Sequence, residues 1–129
     1  MADRRSYIRY NQRGSVKIKT ERDTPDIVKG NLIDICFMGF CVYLKEKIDI
    51  NTPIQFELMA ELNHRPLIGR GKIKSIKEAP RYGVQGFRVG VEFTDVNKKE
   101  IEILINQIQS KIARDKINKS INGEAEAPF

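Results

Sequence analysis

Three residues where one predicted strand ends and the next begins have the chemistry to bind a ligand: Asp34, Cys36 and Gly39. Residues two apart on a strand point to the same face, so Asp34 and Cys36 are predicted to lie side by side at the rim of a sheet. We expect Gly39 to supply the positive φ of a tight turn or bulge. A carboxylate beside exposed backbone N–H groups suits a ligand edge with several hydrogen-bond donors. Alone, the pattern is more typical of an ordinary hairpin turn.

Positive charge is concentrated at the N-terminus. The chain has a net charge of +6, and residues 1–22 hold seven basic side chains against two acidic ones, which is +5. Arg5 and Arg9 are four residues apart, so they would share a face in a helical turn or close on one anion from an irregular arm. Arginine binds phosphate and guanine edges in a bidentate manner, which lysine does not. A solvated basic tail is the simpler interpretation of the charge alone.

Length and composition predict one cytoplasmic domain. The 129 residues suffice for a single core. The sequence contains no run of 18 apolar residues, so no membrane span is predicted. The first residues, from Met1 to Arg5, are not followed by the apolar stretch of a secretory signal. Cys36 and Cys41 lie in one hairpin and are expected to be reduced thiols.

Six segments have the alternation of half-buried strands: residues 15–19, 27–36, 40–44, 54–58, 67–77 and 87–94. In the fifth segment, Ile73 and Ile76 break the alternation, and Gly69 and Gly71 indicate a bulge or sharp bend. Hairpin-length gaps separate most of these segments. The pattern predicts a mainly β fold, a small antiparallel barrel of six strands.

A helix is predicted after the last strand. Apolar residues recur every three or four positions from Ile101 to Ile112, and Asn97 with Glu100 resembles a capping box. We expect the stripe to extend to Ile117 at most and the pair at residues 122–123 to end the helix. The chain is thus divided into a flexible basic arm at 1–13, in which Tyr7, Ile8 and Tyr10 partly dock, a barrel with an amphipathic α-helix at 14–113, and a helix extension and frayed tail at 114–129.

The residues predict a binding protein and no enzyme. The one histidine, His64, lies in a polar turn, and the two cysteines lack further ligands at metal spacing. No nucleophile elbow, Walker loop or dinucleotide fingerprint is present. We therefore predict no catalytic residue, no metal site and no cofactor.

Two motifs in order resemble those of the PilZ domain family of bacterial cyclic-di-GMP receptors. Residues 5–9 fit R-x-x-x-R, and residues 34–39 fit D-x-S-x-x-G with cysteine in place of serine. The strand at 88–95 and the following helix are similar to the end of that domain. The resemblance covers about residues 4–112, and it implies a six-stranded PilZ-type barrel without catalysis that holds cyclic-di-GMP between the N-terminal arm and the barrel.

Carried over to this sequence, the resemblance predicts six ligand-binding residues: Arg4, Arg5, Arg9, Asp34, Cys36 and Gly39. The arginines would contact phosphate and guanine, and Asp34 would accept hydrogen bonds from the guanine edge. In similar proteins an arginine directly before the motif accompanies a stacked pair of ligand molecules, so Arg4 leads us to expect that form here. Cys36 departs from the motif because a thiol is a weaker partner than a hydroxyl, and Met38 stands where glycine is frequent. Neither departure removes a charge, so we predict retained binding.

The resemblance also implies an effector protein, not identified by the sequence, in motility, adhesion or biofilm polysaccharide regulation. Two alternatives stay open. One is a PilZ-like scaffold that binds no nucleotide, and the other is a basic barrel that stacks single-stranded nucleic acid on Tyr7, Tyr10, Phe37 and Tyr43. The nucleic-acid alternative is disfavoured because the positive charge is confined to one arm.

Overall fold

The computed structural model describes residues 8–21, 27–62 and 65–126. The elements are β1 (Tyr10–Asn11), β2 (Gly14–Thr20), β3 (Ile27–Ile35), β4 (Gly39–Leu44), β5 (Pro53–Ala60), β6 (Leu67–Glu78), β7 (Phe87–Val96) and α1 (Lys98–Glu126). Six strands close into an antiparallel barrel in the order β3–β2–β5–β6–β7–β4, with β4 pairing back to β3. All six predicted strands and the predicted fold class are confirmed.

The barrel core follows from the alternation in the sequence. In β5 every second side chain is buried, and in β2 the same alternation begins at Val16. The rings of Phe40, Phe56 and Phe93 pack together, with centroids 5.0 to 5.9 Å apart. Aromatic contacts at this separation add to the area that these large side chains bury.

β4 departs from the alternation. All six of its residues are buried, including Cys41 and Tyr43, whose side chains point away from the core. The guanidinium of Arg81 lies 3.8 Å from the centre of the Tyr43 ring, so the loop between β6 and β7 covers the outer side of this strand.

Helix α1 begins where the sequence predicts. The Oδ1 atom of Asn97 accepts hydrogen bonds from the backbone N–H groups of Lys99 and Glu100, at 3.0 and 3.2 Å, which caps the helix. Four apolar residues of the predicted stripe join the barrel core: Ile101, Leu104, Ile105 and Ile108. Ile112 is 42% exposed, so the stripe leaves the barrel after Ile108.

Two expectations about the chain ends are wrong. The helix continues through residues 122–123 to Glu126, because one glycine costs only about 1 kcal/mol in a helix and does not by itself end it. Part of the predicted arm is a strand: β1 pairs with the end of β3, with Tyr10 opposite Ile35. Tyr10 packs against the core as predicted, but Ile8 is 66% exposed.

Candidate functional site

A cavity of about 500 Å³ lies on the outer surface of the barrel, over β3, β4, β7 and the second half of β6. Val89 and Val91 of β7 point into the core, whereas Arg88 and Glu92 point outward into this cavity. Its volume is within the range of about 300–1,000 Å³ that small-molecule sites have.

The floor of the cavity is one row of four residues that lie side by side on adjacent strands. Asp34 pairs with Cys41, Cys41 with Gly90, and Gly90 with Ser75. The row runs from β3 across β4 and β7 to β6, three strand spacings of about 4.8 Å each, or about 14 Å. Its two central residues are small, which leaves a shallow trough with a carboxylate at one end and a hydroxyl at the other.

Gly90 keeps the middle of this trough open. A Cβ atom placed there would lie 2.5 Å from the Oγ atom of Ser75, closer than real Cβ atoms approach a neighbour. Any larger residue at this position would therefore push the Ser75 hydroxyl aside and raise the floor.

Arg9 lies at the β3 end of the trough. It directly precedes β1, and the pairing of Tyr10 with Ile35 brings Arg9 beside Cys36. The side chain of Arg9 is exposed and lines the same cavity as Asp34, Cys36 and Gly39. The structure thus places four of the six predicted site residues around one cavity.

The other two predicted site residues, Arg4 and Arg5, lie outside the described residues. The same holds for Tyr7 and His64.

The turn after Asp34 is closed by Cys36. The backbone N–H of Cys36 donates to the carbonyl oxygen of Gly39 at 2.9 Å, and the Met38 N–H donates to Sγ of Cys36 at 3.4 Å. The thiol therefore accepts a backbone hydrogen bond within the turn, a role that a serine hydroxyl can also perform.

The expectation that Gly39 adopts positive φ is wrong. Among the described residues, positive φ occurs at Asn51, Tyr82 and Gly83. Gly39 is required for another reason: a Cβ atom there would overlap the carbonyl oxygen of Val91 on β7. The glycine thus allows β4 and β7 to approach each other at the edge of the cavity.

Charged groups surround the centre of the trough. Burial raises the pKa of the Cys41 thiol above its ordinary value of 9.0, a hydrogen bond from Arg88 lowers it, and the negative charge of Asp34 raises it. The charges of Arg88 and Arg9 lower it further, less than burial raises it. Cys41 therefore stays a neutral thiol at physiological pH, which makes it a poor nucleophile.

The residues on the far side of the cavity were not predicted from the sequence. This side carries Lys74, Ser75 and Lys77 on β6 and Arg88, Gly90 and Glu92 on β7. The signal was present in the broken alternation at Ile73 and Ile76, which marks a bulge in β6.

The family is shown by a sequence match that covers the whole barrel. The sequence model of the PilZ domain matches residues 3–110. The chain belongs to the PilZ domain family. Both PilZ motifs meet at the cavity, since Arg9 comes from the first and Asp34, Cys36 and Gly39 from the second.

Solved structures share this fold at low sequence identity. The PilZ domain of Escherichia coli YcgR with c-di-GMP has a TM-score of 0.68 and 16% identity, covering 90% of this chain and 98% of that one. The Klebsiella pneumoniae MrkH–c-di-GMP complex has a TM-score of 0.73 and 12% identity, covering 89% and 57%. The Bacillus subtilis inhibitor of motility MotI/DgrA has a TM-score of 0.66 and 16% identity, covering 90% and 53%.

This PilZ chain spans about half the length of MrkH and of MotI/DgrA. No curated protein sequence matches it significantly. In the described part of the chain, no helix combines the length and apolarity needed to cross a bilayer.

Proposed function

We propose that this PilZ domain is a non-catalytic receptor that binds cyclic-di-GMP in the trough on the outer face of the barrel. The observation that carries the proposal is that Arg9 lines the same cavity as Asp34, Cys36 and Gly39, although Arg9 and Asp34 are 25 positions apart in the sequence. The ligand in the YcgR and MrkH structures, which share this fold, supports the same chemistry.

The charges of the cavity suit a dianionic guanine dinucleotide. Four cationic side chains and two carboxylates line it: Arg9, Lys74, Lys77 and Arg88 against Asp34 and Glu92. Asp34 is 7% exposed and stands at the end of the trough, where its carboxylate can accept hydrogen bonds from N1–H and N2–H of a guanine. Arg9, with Arg4 and Arg5 preceding it, would bind phosphate and guanine from the open side.

Binding would order the N-terminal arm over the ligand and present a new surface to an effector protein. The arm is tied to the rest of the fold at Tyr10, which is partly buried against the core and hydrogen-bonded to α1 through Gln109. Arg9 is therefore adjacent in sequence to Tyr10, the residue of the arm that contacts the helix. With Arg4 directly before the motif, we propose that the ligand binds as a stacked pair.

The single-stranded nucleic-acid alternative has less support. In this alternative Tyr43 would stack a base, but Tyr43 is 6% exposed beneath the guanidinium of Arg81. A base cannot reach the face of a ring that is covered in this way. A scaffold that binds no nucleotide would leave the cations of the cavity without a ligand.

Isothermal titration calorimetry with cyclic-di-GMP tests the proposal. Arg5→Ala and Arg9→Ala should each weaken binding about tenfold or more, because a charge-assisted hydrogen bond contributes about 1.5–3 kcal/mol. Arg13→Ala is the matched control, since Arg13 is exposed and lies outside this cavity.

Absence of binding by the unaltered protein would reject the proposal and favour the scaffold. Equal affinities for the Arg5, Arg9 and Arg13 variants would reject the site. Fluorescence anisotropy with labelled single-stranded RNA measures RNA binding by the same samples and so tests the nucleic-acid alternative.

A further inference from the structure

A bulge in β6 turns several polar side chains toward the cavity. Ile73 pairs with Val91 and Ser75 with Gly90, so Lys74 is the additional residue between them. Ile73 points into the core, whereas Lys74 and Ser75 are both exposed. A bulge re-aims the side chains that follow it, and here it places two consecutive side chains on the outer face.

Three basic residues at and near the bulge form a cationic wall, which we define as Lys74, Lys77 and Arg88. All three side chains are exposed and line the cavity. Lys77 pairs directly with Arg88 across β6 and β7, so two positive charges lie on neighbouring strands at the same level. Like charges directly opposite each other destabilise a sheet, and an anion bound between them would relieve that repulsion.

The wall lies at the end of the trough away from the predicted arginine pair. Arg9 is beside Cys36 at the β3 end, whereas Lys74 and Lys77 are on β6, three strands away. A ligand that occupies the full trough of about 14 Å therefore meets cations at both ends.

Glu92 restrains one member of the wall. Its carboxylate lies 3.1 Å from Nζ of Lys74 and 3.7 Å from Nζ of Lys72. Glu92 also lines the cavity, so it neutralises Lys74 and repels an incoming anion.

We propose that the cationic wall is a second anion subsite, which binds a phosphate of the dinucleotide at the β6–β7 end of the trough. Glu92 weakens this subsite by pairing with Lys74. The inference rests on the proposed function and adds residues that belong to neither PilZ motif of this sequence.

The test compares two double variants with the same loss of charge. Lys74→Gln/Lys77→Gln removes two cations from the wall, and Lys17→Gln/Lys19→Gln removes two exposed lysines from β2, outside the cavity. By calorimetry with cyclic-di-GMP, the wall variant should bind about tenfold more weakly than the unaltered protein. The β2 variant should bind like the unaltered protein, and Lys77→Arg should retain the affinity.

Two further measurements separate an anion subsite from a structural role. The wall variant should show a shallower loss of affinity with added salt, since screening acts on the charges that were removed. Glu92→Gln should bind about twofold to fivefold more tightly, because it frees Lys74 from an exposed ion pair.

Each result bears on a different part of the proposal. If the unaltered protein does not bind cyclic-di-GMP, the proposed function fails and the subsite with it. If the unaltered protein binds and the two double variants have equal affinity, only the subsite is overturned. Weaker binding by Glu92→Gln would overturn the role assigned to Glu92.

Discussion

The phenol oxygen of Tyr10 accepts a hydrogen bond from Nε2 of Gln109 at 2.8 Å, joining the N-terminal arm to helix α1 across 99 residues of sequence. Tyr10 also pairs with Ile35 through the backbone of β1. These two contacts fix the residue next to Arg9, so they hold the arginine beside the cavity. The helix thus takes part in positioning the arm, although it does not line the trough.

Tyr10→Phe should weaken cyclic-di-GMP binding by about twofold to tenfold, the equivalent of one neutral hydrogen bond of about 0.5–1.5 kcal/mol. Gln109→Ala should cause a loss of similar size. In the double variant the losses should not add, because both single changes break the same bond. Additive losses in calorimetry would show that the bond does not position Arg9.

Asp34→Asn should lower the affinity for cyclic-di-GMP about tenfold or more. The amide keeps the size of the side chain but offers one acceptor oxygen where guanine presents two donors, N1–H and N2–H. The ratio of the affinity for cyclic-di-GMP to that for cyclic-di-AMP should decrease for the same reason. A change in thermal midpoint without a change in ligand preference would assign Asp34 to the fold alone.

Cys36→Ser should bind cyclic-di-GMP as tightly as the unaltered protein or up to about fivefold more tightly. A serine Oγ can accept the Met38 N–H hydrogen bond that the Cys36 sulfur now accepts at 3.4 Å, and it is the stronger donor to a ligand. Clear weakening in the same titration would mean that the thiol makes a contact that a hydroxyl cannot replace.

Gly39→Ala should lower the free energy of unfolding by about 1–3 kcal/mol, because the added methyl group overlaps the backbone of Val91. Gly83→Asn is the control. Gly83 has a φ of 75° and no atom within 4 Å of the position of a Cβ, and asparagine tolerates that conformation. Urea unfolding measures both, and equal stabilities would contradict the close approach of β4 and β7.

Stability should decline as the pH rises above about 9, in part because of Cys41. Burial raises the pKa of its thiol in the folded state above 9.0, so the unfolded chain loses this proton first and is favoured as the pH rises. Below that range both states hold the proton, so the stability does not change with pH through this thiol. Cys41→Ala should flatten the pH dependence above about pH 9 in urea unfolding under reducing conditions, and an unchanged slope would contradict the raised pKa.

The strands and the start of the helix could be predicted because their signals are local. Alternation in β5 and the N-cap at Asn97 depend on residues a few positions apart, and the structure confirms both. The motif residues of the site could also be predicted, because Asp34 and Cys36 share a face of one strand independently of the rest of the fold.

The tertiary structure alone decided what lies opposite those residues. Asp34, Cys41, Gly90 and Ser75 form one row only because the barrel closes with β4 between β3 and β7, and pairing across strands is set by the whole sheet. The role of Gly39 depends in the same way on Val91 of β7, more than 50 positions away in the sequence. Short-range geometry decides which face of a strand each residue of the sequence occupies. The far wall of the cavity depends on the long-range strand register, which only a closed core imposes.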